Sequence, residues 1–220
     1  FWATSLARTV DEVAGSMQDD NSFQNFLRSA LMKKGGVGYV QPTEETFPLL
    51  DNVIDMILTC GAVPTTTWLD GTRSGESDPQ TQLECLVEKG VAAANIIPDR
   101  NWNLKDPAEA EVKIREFHRY AETCRRMNLP VIVGTELNKP GQRFVDDFEV
   151  AAMRPLTPQF LEGAEVMVGH TRLLRYADFS YTGEDAAAEY PDRARRNRVF
   201  ATVGALPGPP GEVRMKLDTM

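Results

Sequence analysis

Residues 129–142 read LPVIVGTELNKPGQ. Val131, Ile132 and Val133 are β-branched and apolar, and they predict a buried strand. The run then ends on Gly134, Thr135, Glu136, Leu137 and Asn138, before Pro140–Gly141 breaks it. A carboxylate and an amide at the mouth of a buried strand have two readings, a plain surface loop or part of a site. The fold that presents them must decide.

Working outward, AVPTTTW (62–68) and VAAANII (91–97) are further strand candidates, the first weakened by Pro64, and AEVMVG (164–169) is a fourth. Helical patterns lie between them. TEETFPLLDNVIDMILTCG puts Phe47, Leu50, Val53, Ile54 and Ile57 on one face, with Thr43 as N-cap. DPQTQLECLVEKG has Asp78 or Ser77 as cap, Pro79 in the first turn and Gly90 as stop. DPAEAEVKIREFHRYAETCRRMN is a long helix that turns Ile114, Phe117, Ala121 and Cys124 inward. Strands alternating with helices predict βα units and a largely parallel sheet, and a barrel and an open doubly wound sheet both fit the rhythm.

Two short helices are expected over 2–16 and 21–34, the second stopped by Gly35–Gly36. One α/β domain over 1–220 follows: a helical insertion (1–35), βα units (36–183) and a C-terminal extension (184–220). In that extension Arg193, Arg195, Arg196 and Arg198 read as a solvated helix face, and EVRMKLD alternates as an edge strand does.

The chain has 220 residues, with a net charge of −8 that argues against a general nucleic-acid binder. Local basic loops remain able to hold a phosphorylated substrate. Cys60, Cys85 and Cys124 are odd in number and lack a CxxC pair, which predicts free, mostly buried thiols in a reducing compartment. There is no apolar run of membrane-spanning length and no basic-then-apolar leader, so a cytoplasmic protein away from membranes is expected. With two histidines and scattered cysteines, a conventional His-rich or Cys-rich zinc site cannot be assembled. Neither GxxxxGK[ST] nor GxSxG is present.

In a parallel sheet the loops after the strands form the functional face. Here they concentrate Asp70, Arg73, Glu76, Asp99, Arg100, Asn101, Trp102, Glu136, Asn138 and His170. Glu136 sits where a carboxylate reaches a metal, a substrate hydroxyl or an arginine. Asp99 and His170 complete the candidates for proton transfer, His170 because it is placed where a strand hands over to the helix TRLLRYA. Arg73 and Arg100, with Arg172, supply permanent planar charge for a phosphate or carboxylate, or else form a salt-bridge rim. Asn101, Trp102 and Asn138 join them as substrate-binding candidates, while Trp68 lines a pocket or plugs the end of the sheet. His118, off the apolar stripe between Arg115 and Arg119, reads as a surface histidine.

The order NSFQNFLRSALMKKGGVGYVQPTEETFPLLDNVIDMILTCGAVPTTTWLDG, LVEKGVAAANIIPDRNW and AEVKIREFHRYAETCRRMNLPVIVGTELNKPG resembles part of the polymerase and histidinol phosphatase (PHP) family of metal-dependent phosphoesterases, over about residues 20–142. The resemblance implies a distorted or partial TIM-like barrel with an N-terminal helical insertion. It also implies hydrolysis of phosphate esters, acting on a small phosphorylated molecule or an oligonucleotide end. Divalent Mn, Zn or Fe would be held at strand ends, with Glu136 as a ligand. The family's histidine before proline falls near Thr67, its terminal Asp-x-His falls on Glu136-Leu137-Asn138, and its opening His-x-His would precede Phe1. Two expectations follow. The chain is the C-terminal part of a longer protein that carries the remaining ligands, or it is a metal-free binding or scaffold domain. A sugar-isomerase-like or lyase barrel also places acids at strand ends.

Overall fold

The computed structural model describes residues 2–6, 8–137 and 142–208. They form two compact units, Phe1–Leu49 with Leu137–Gln142, and Leu50–Glu136 with Arg143–Met220.

The first unit holds α1 (Trp2–Ser5), α2 (Val10–Ser16) and α3 (Asp20–Leu31). Thr9 and Glu12 close a capping box at the start of α2: the Thr9 hydroxyl accepts from Glu12 N–H at 3.2 Å, and Glu12 accepts from Thr9 N–H at 2.8 Å. This satisfies two backbone donors that the helix leaves open. Trp2 meets Phe23 edge to face.

The second unit begins with α4 (Leu50–Thr59). Its start is later than the sequence pattern suggests. Thr43 caps only a local turn, its carbonyl accepting from Thr46 and Phe47, and Pro48 keeps Phe47 out of a helical conformation. Then follow β1 (Thr65–Trp68), α5 (Pro79–Glu88), β2 (Ala93–Ile96), α6 (Asp99–Trp102), α7 (Pro107–Arg126) and β3 (Val131–Val133). Asp78 and Asp106 cap α5 and α7, each followed by proline, and each such cap contributes about 1 kcal/mol.

The three strands are parallel in the order β1-β2-β3, with Thr67 opposite Asn95 and Asn95 opposite Ile132. Because strand side chains alternate, Trp68, Ala94, Ile96 and Val131 turn to one face. There they pack with Leu83 of α5 and with Phe117, Tyr120, Ala121 and Cys124 of α7. Trp68, which has no exposed surface, stacks on Tyr120 at 4.8 Å, so it is core rather than a pocket wall.

The other face carries Thr65, Thr67, Ala93, Asn95 and Ile132. Its amino end is covered by α8 (Thr157–Ala177) and α10 (Arg193–Ala205), whose Val166 and Phe200 pack with Val63 and Ala92. Between those two helices lies α9 (Glu184–Glu189). The helices approach closely through glycine: a Cβ on Gly169 would overlap the Phe200 carbonyl, one on Gly204 the Glu165 carbonyl, and one on Gly163 the Val131 backbone.

The barrel expectation is overturned. Among the described residues the sheet has three strands and is open, whereas a TIM-like barrel closes eight. The predicted strand 164–169 is the interior of α8. Its buried residues Phe160, Gly163, Val166, Gly169 and His170 recur at helical spacing, and a short apolar run cannot reveal that period by itself. The edge strand expected over 212–218 lies outside the described residues.

Candidate functional site

The carboxyl end of the sheet gathers most of the predicted polar residues. Glu136 is joined to Arg100: the Nη1 of Arg100 donates to both Glu136 oxygens, at 2.7 and 2.8 Å. Both side chains are partly exposed. Two residues earlier, Gly134 continues the β3 ladder by donating to Ile96 O at 2.8 Å. A Cβ at Gly134 would stand 2.7 Å from the Asn95 Oδ1. The glycine therefore makes room for the Asn95 amide.

Asn95 is the residue that sequence reasoning missed. It lies half-buried in β2, on the sheet face away from α5 and α7, and its Nδ2 donates to the exposed Thr67 hydroxyl at 3.3 Å. A signal existed: Asn95 is the one polar side chain in the otherwise apolar VAAANII.

The turn into α6 is locked by Asp146, which is buried. It accepts from Asp99 N–H at 2.9 Å, from the Trp102 indole at 2.9 Å and from Asp147 N–H at 2.8 Å. The Asp99 carboxylate in turn takes the Asn103 amide at 2.9 Å and faces Arg143 at 3.9 Å. The Arg143 guanidinium lies over the Trp102 ring. Asn101, with no exposed surface, ties two strand-end loops together through Leu69 O and Ile97 O, at 3.0 and 3.1 Å.

In the loop after β1, Asp70 is buried and bound to Thr72 and Lys113. Burial opposes its ionisation, but the hydrogen bonds from Thr72 and Lys113 prevail and hold the carboxyl below its usual range. Lys113 is raised: burial lowers it, and its bonds to Glu109 and Asp70 outweigh that. Arg73 is exposed on this loop. Asn138 lies outside the described residues.

His170 stands apart from Glu136 and Asp99. It is in α8, and its Nε2 lies 3.0 Å from the carbonyl of Gly61, ahead of the amino end of β1. Its Nδ1 accepts from Tyr181 N–H at 3.2 Å, so the ring is neutral with its proton on Nε2. Burial lowers its pKa, against the pull of the Gly61 carbonyl. A mainly apolar cavity of about 520 Å³ adjoins it, lined by Gly61, Val63, Met167 and Leu174 among others. Arg172 caps α10, its Nη1 donating to the carbonyls of Val203, Gly204 and Leu206. His118 is not free on the surface. Its Nε2 meets Ala152 O at 2.7 Å. Of the three free thiols, Cys124 alone is buried, and burial pushes it up to about 12.

The described residues do not fit the metal centre that the resemblance implies. Among them there is no group of three or more His, Cys, Asp and Glu side chains able to hold a metal ion. Glu136 has both oxygens turned to a guanidinium, which a cation would have to displace. Among the described residues no helix is long and apolar enough to cross a membrane. No protein-family model, curated protein or solved structure matches the chain.

Proposed function

We propose that the chain is a binding domain for a small hydroxyl-bearing phosphate ester, held at the carboxyl ends of the three strands without metal-assisted hydrolysis. The observation that carries this reading is the Asn95–Thr67 pair. A sheet face usually buries apolar groups, and an amide placed there costs free energy unless it finds partners. Asn95 and Thr67 instead stand partly open, where an amide and a hydroxyl donate to and accept from ligand hydroxyls. Just past Gly134, Glu136 supplies a further acceptor. Arg100 supplies a permanent planar cation whose Nε is buried without a hydrogen-bond partner among the described residues.

The phosphate agrees in class with the family that residues 20–142 resemble. A small ester suits the chain better than an oligonucleotide end, because a net charge of −8 repels a polyanion. Calorimetric titration with sugar phosphates and their unphosphorylated parents, in EDTA and then with added manganese, tests the reading. Saturable binding is expected, weakened roughly tenfold in Asn95→Ala, the loss of about one hydrogen bond, with no phosphate released under either condition. Manganese-dependent phosphate release would establish the hydrolase reading instead, and failure to bind any ester would remove the proposal.

A further inference from the structure

The loop after β1, LDGTRSGE (69–76), aims three successive backbone N–H groups at one point. Gly71, at φ +69°, gives the turn its shape, in a region that other residues rarely adopt. The Glu76 carboxylate fills the point. One oxygen accepts from Leu69 N–H at 2.9 Å, and the other from Asp70 and Gly71 N–H, both at 3.2 Å. Converging main-chain N–H groups make an anion cradle, the device that holds phosphate in strand-to-helix loops of unrelated proteins.

A second observation lies beneath the loop. Trp68 has no exposed surface, its ring edge is 3.0 Å from where a Gly71 Cβ would stand, and its Nε1 has no hydrogen-bond partner among the described residues. Asn101 is also fully buried. Its Nδ2 holds Leu69 O, and its Oδ1 has no partner among the described residues. Buried donors and acceptors without partners are rare and costly. One of each belongs to a residue packed beside this turn. The Glu76 carboxylate bonds to the main chain of the turn and satisfies neither of them.

We propose that the Leu69–Gly71 turn is the phosphate subsite of the ligand site, and that Glu76 is its internal occupant, displaced when ligand binds. This rests on the reading of the chain as a binder of phosphate esters. Asn101 links the turn to α6, where the neighbouring residue is Arg100. The local charge is mixed: Asp70 is compensated by Lys113, Glu116 lies against Gly71, and Arg73 is exposed on the loop. Glu76 thus keeps free phosphate out, and a ligand anchored elsewhere on the site can expel it.

Inorganic phosphate is the probe, titrated by calorimetry into the wild-type chain, Glu76→Gln and Glu76→Ala, each checked for folding by circular dichroism. The neutral Gln fills the same space and keeps the fold testable should Ala unfold it. Phosphate affinity is expected to rise roughly tenfold or more in the variants, the scale of a charge-assisted hydrogen bond freed for the ligand. Asn95→Ala combined with Glu76→Gln should keep that gain, because inorganic phosphate does not use the Asn95–Thr67 pair. The cradle and the hydroxyl site therefore fail separately. No gain in folded variants overturns the proposal, and an equal gain for acetate overturns the assignment to phosphate.

Discussion

Arg100 gives a single nitrogen, Nη1, to both carboxylate oxygens of Glu136. The pair is neutral as a whole, which makes Glu136 a hydrogen-bond acceptor held by an arginine. Replacing Glu136 by Gln keeps the shape and leaves the guanidinium uncompensated. Both side chains retain solvent contact, so the stability cost is about 1 kcal/mol or less. The effect on ligand is opposite for the two ends of a phosphate ester. The hydroxyl contact weakens, while Arg100 is released for phosphate. Calorimetry on Glu136→Gln should therefore show weaker binding of the unphosphorylated parent and a relative gain for its ester. Unchanged binding of both would place Glu136 outside the site, and equal losses for both would remove Arg100 from the phosphate.

His170 predicts an acid weakness. Its folded-state pKa lies below the unfolded value near 6.5, so the unfolded chain takes up the proton more readily. Stability is full above about pH 7 and falls as the pH drops through 6.5 toward the lowered folded value. Asp70, also lowered, adds a second loss only below about pH 4. Urea unfolding of His170→Gln between pH 7 and 5 should lose the first slope. It should also be less stable at pH 7 by about 1–3 kcal/mol, because Gly61 O and Tyr181 N–H lose their partner. A slope retained in that variant would assign it elsewhere.

The strands at 65–68 and 131–133 were legible from their β-branched residues, the strand at 93–96 from an apolar run after the Gly90 stop, and the helices α5 and α7 from Asp followed by Pro. The closure of the sheet was not. Helix α8 contains AEVMVG, and only its spacing with Phe160, Gly163 and His170 tells helix from strand. Glu136 and Arg100 could each be named from sequence, but their pairing spans 36 positions and depends on how β2 and β3 register. Asn95 went unread because a single amide in an apolar strand declares its use only once Thr67 and Gly134 are placed on either side.

Gly169 and Gly204 predict a packing failure. At each, an added methyl meets the backbone of the opposite helix, which has no flexible end to move aside. Gly169→Ala and Gly204→Ala should each destabilise by about 3 kcal/mol, at the upper end for overpacking, despite the higher helix propensity of alanine. Gly15 is the control: in α2 it has open space around it, and Gly15→Ala should stabilise by roughly 0.5–1 kcal/mol. Thermal melts that rank the three alike would contradict the α8–α10 contact.

Asp146 makes the last prediction, because it separates the scaffold from the site. Its carboxylate is buried and accepts from two backbone N–H groups and an indole. Among the described residues it bonds to Asp99 and Trp102 but to neither Arg100 nor Glu136. Asp146→Ala leaves those three donors without their acceptor, at a cost of about 2–4 kcal/mol. It also frees α6, a single helical turn with no side-chain cap of its own. Since α6 carries Arg100 and Asn101, ligand affinity should fall together with stability. Asp146→Asn restores one acceptor oxygen but turns an NH₂ toward donors, so it should recover only part of both. Binding that weakens while the melting temperature holds would instead make Asp146 a direct ligand contact. Lost stability with intact affinity in the surviving folded protein would detach α6 from the site altogether.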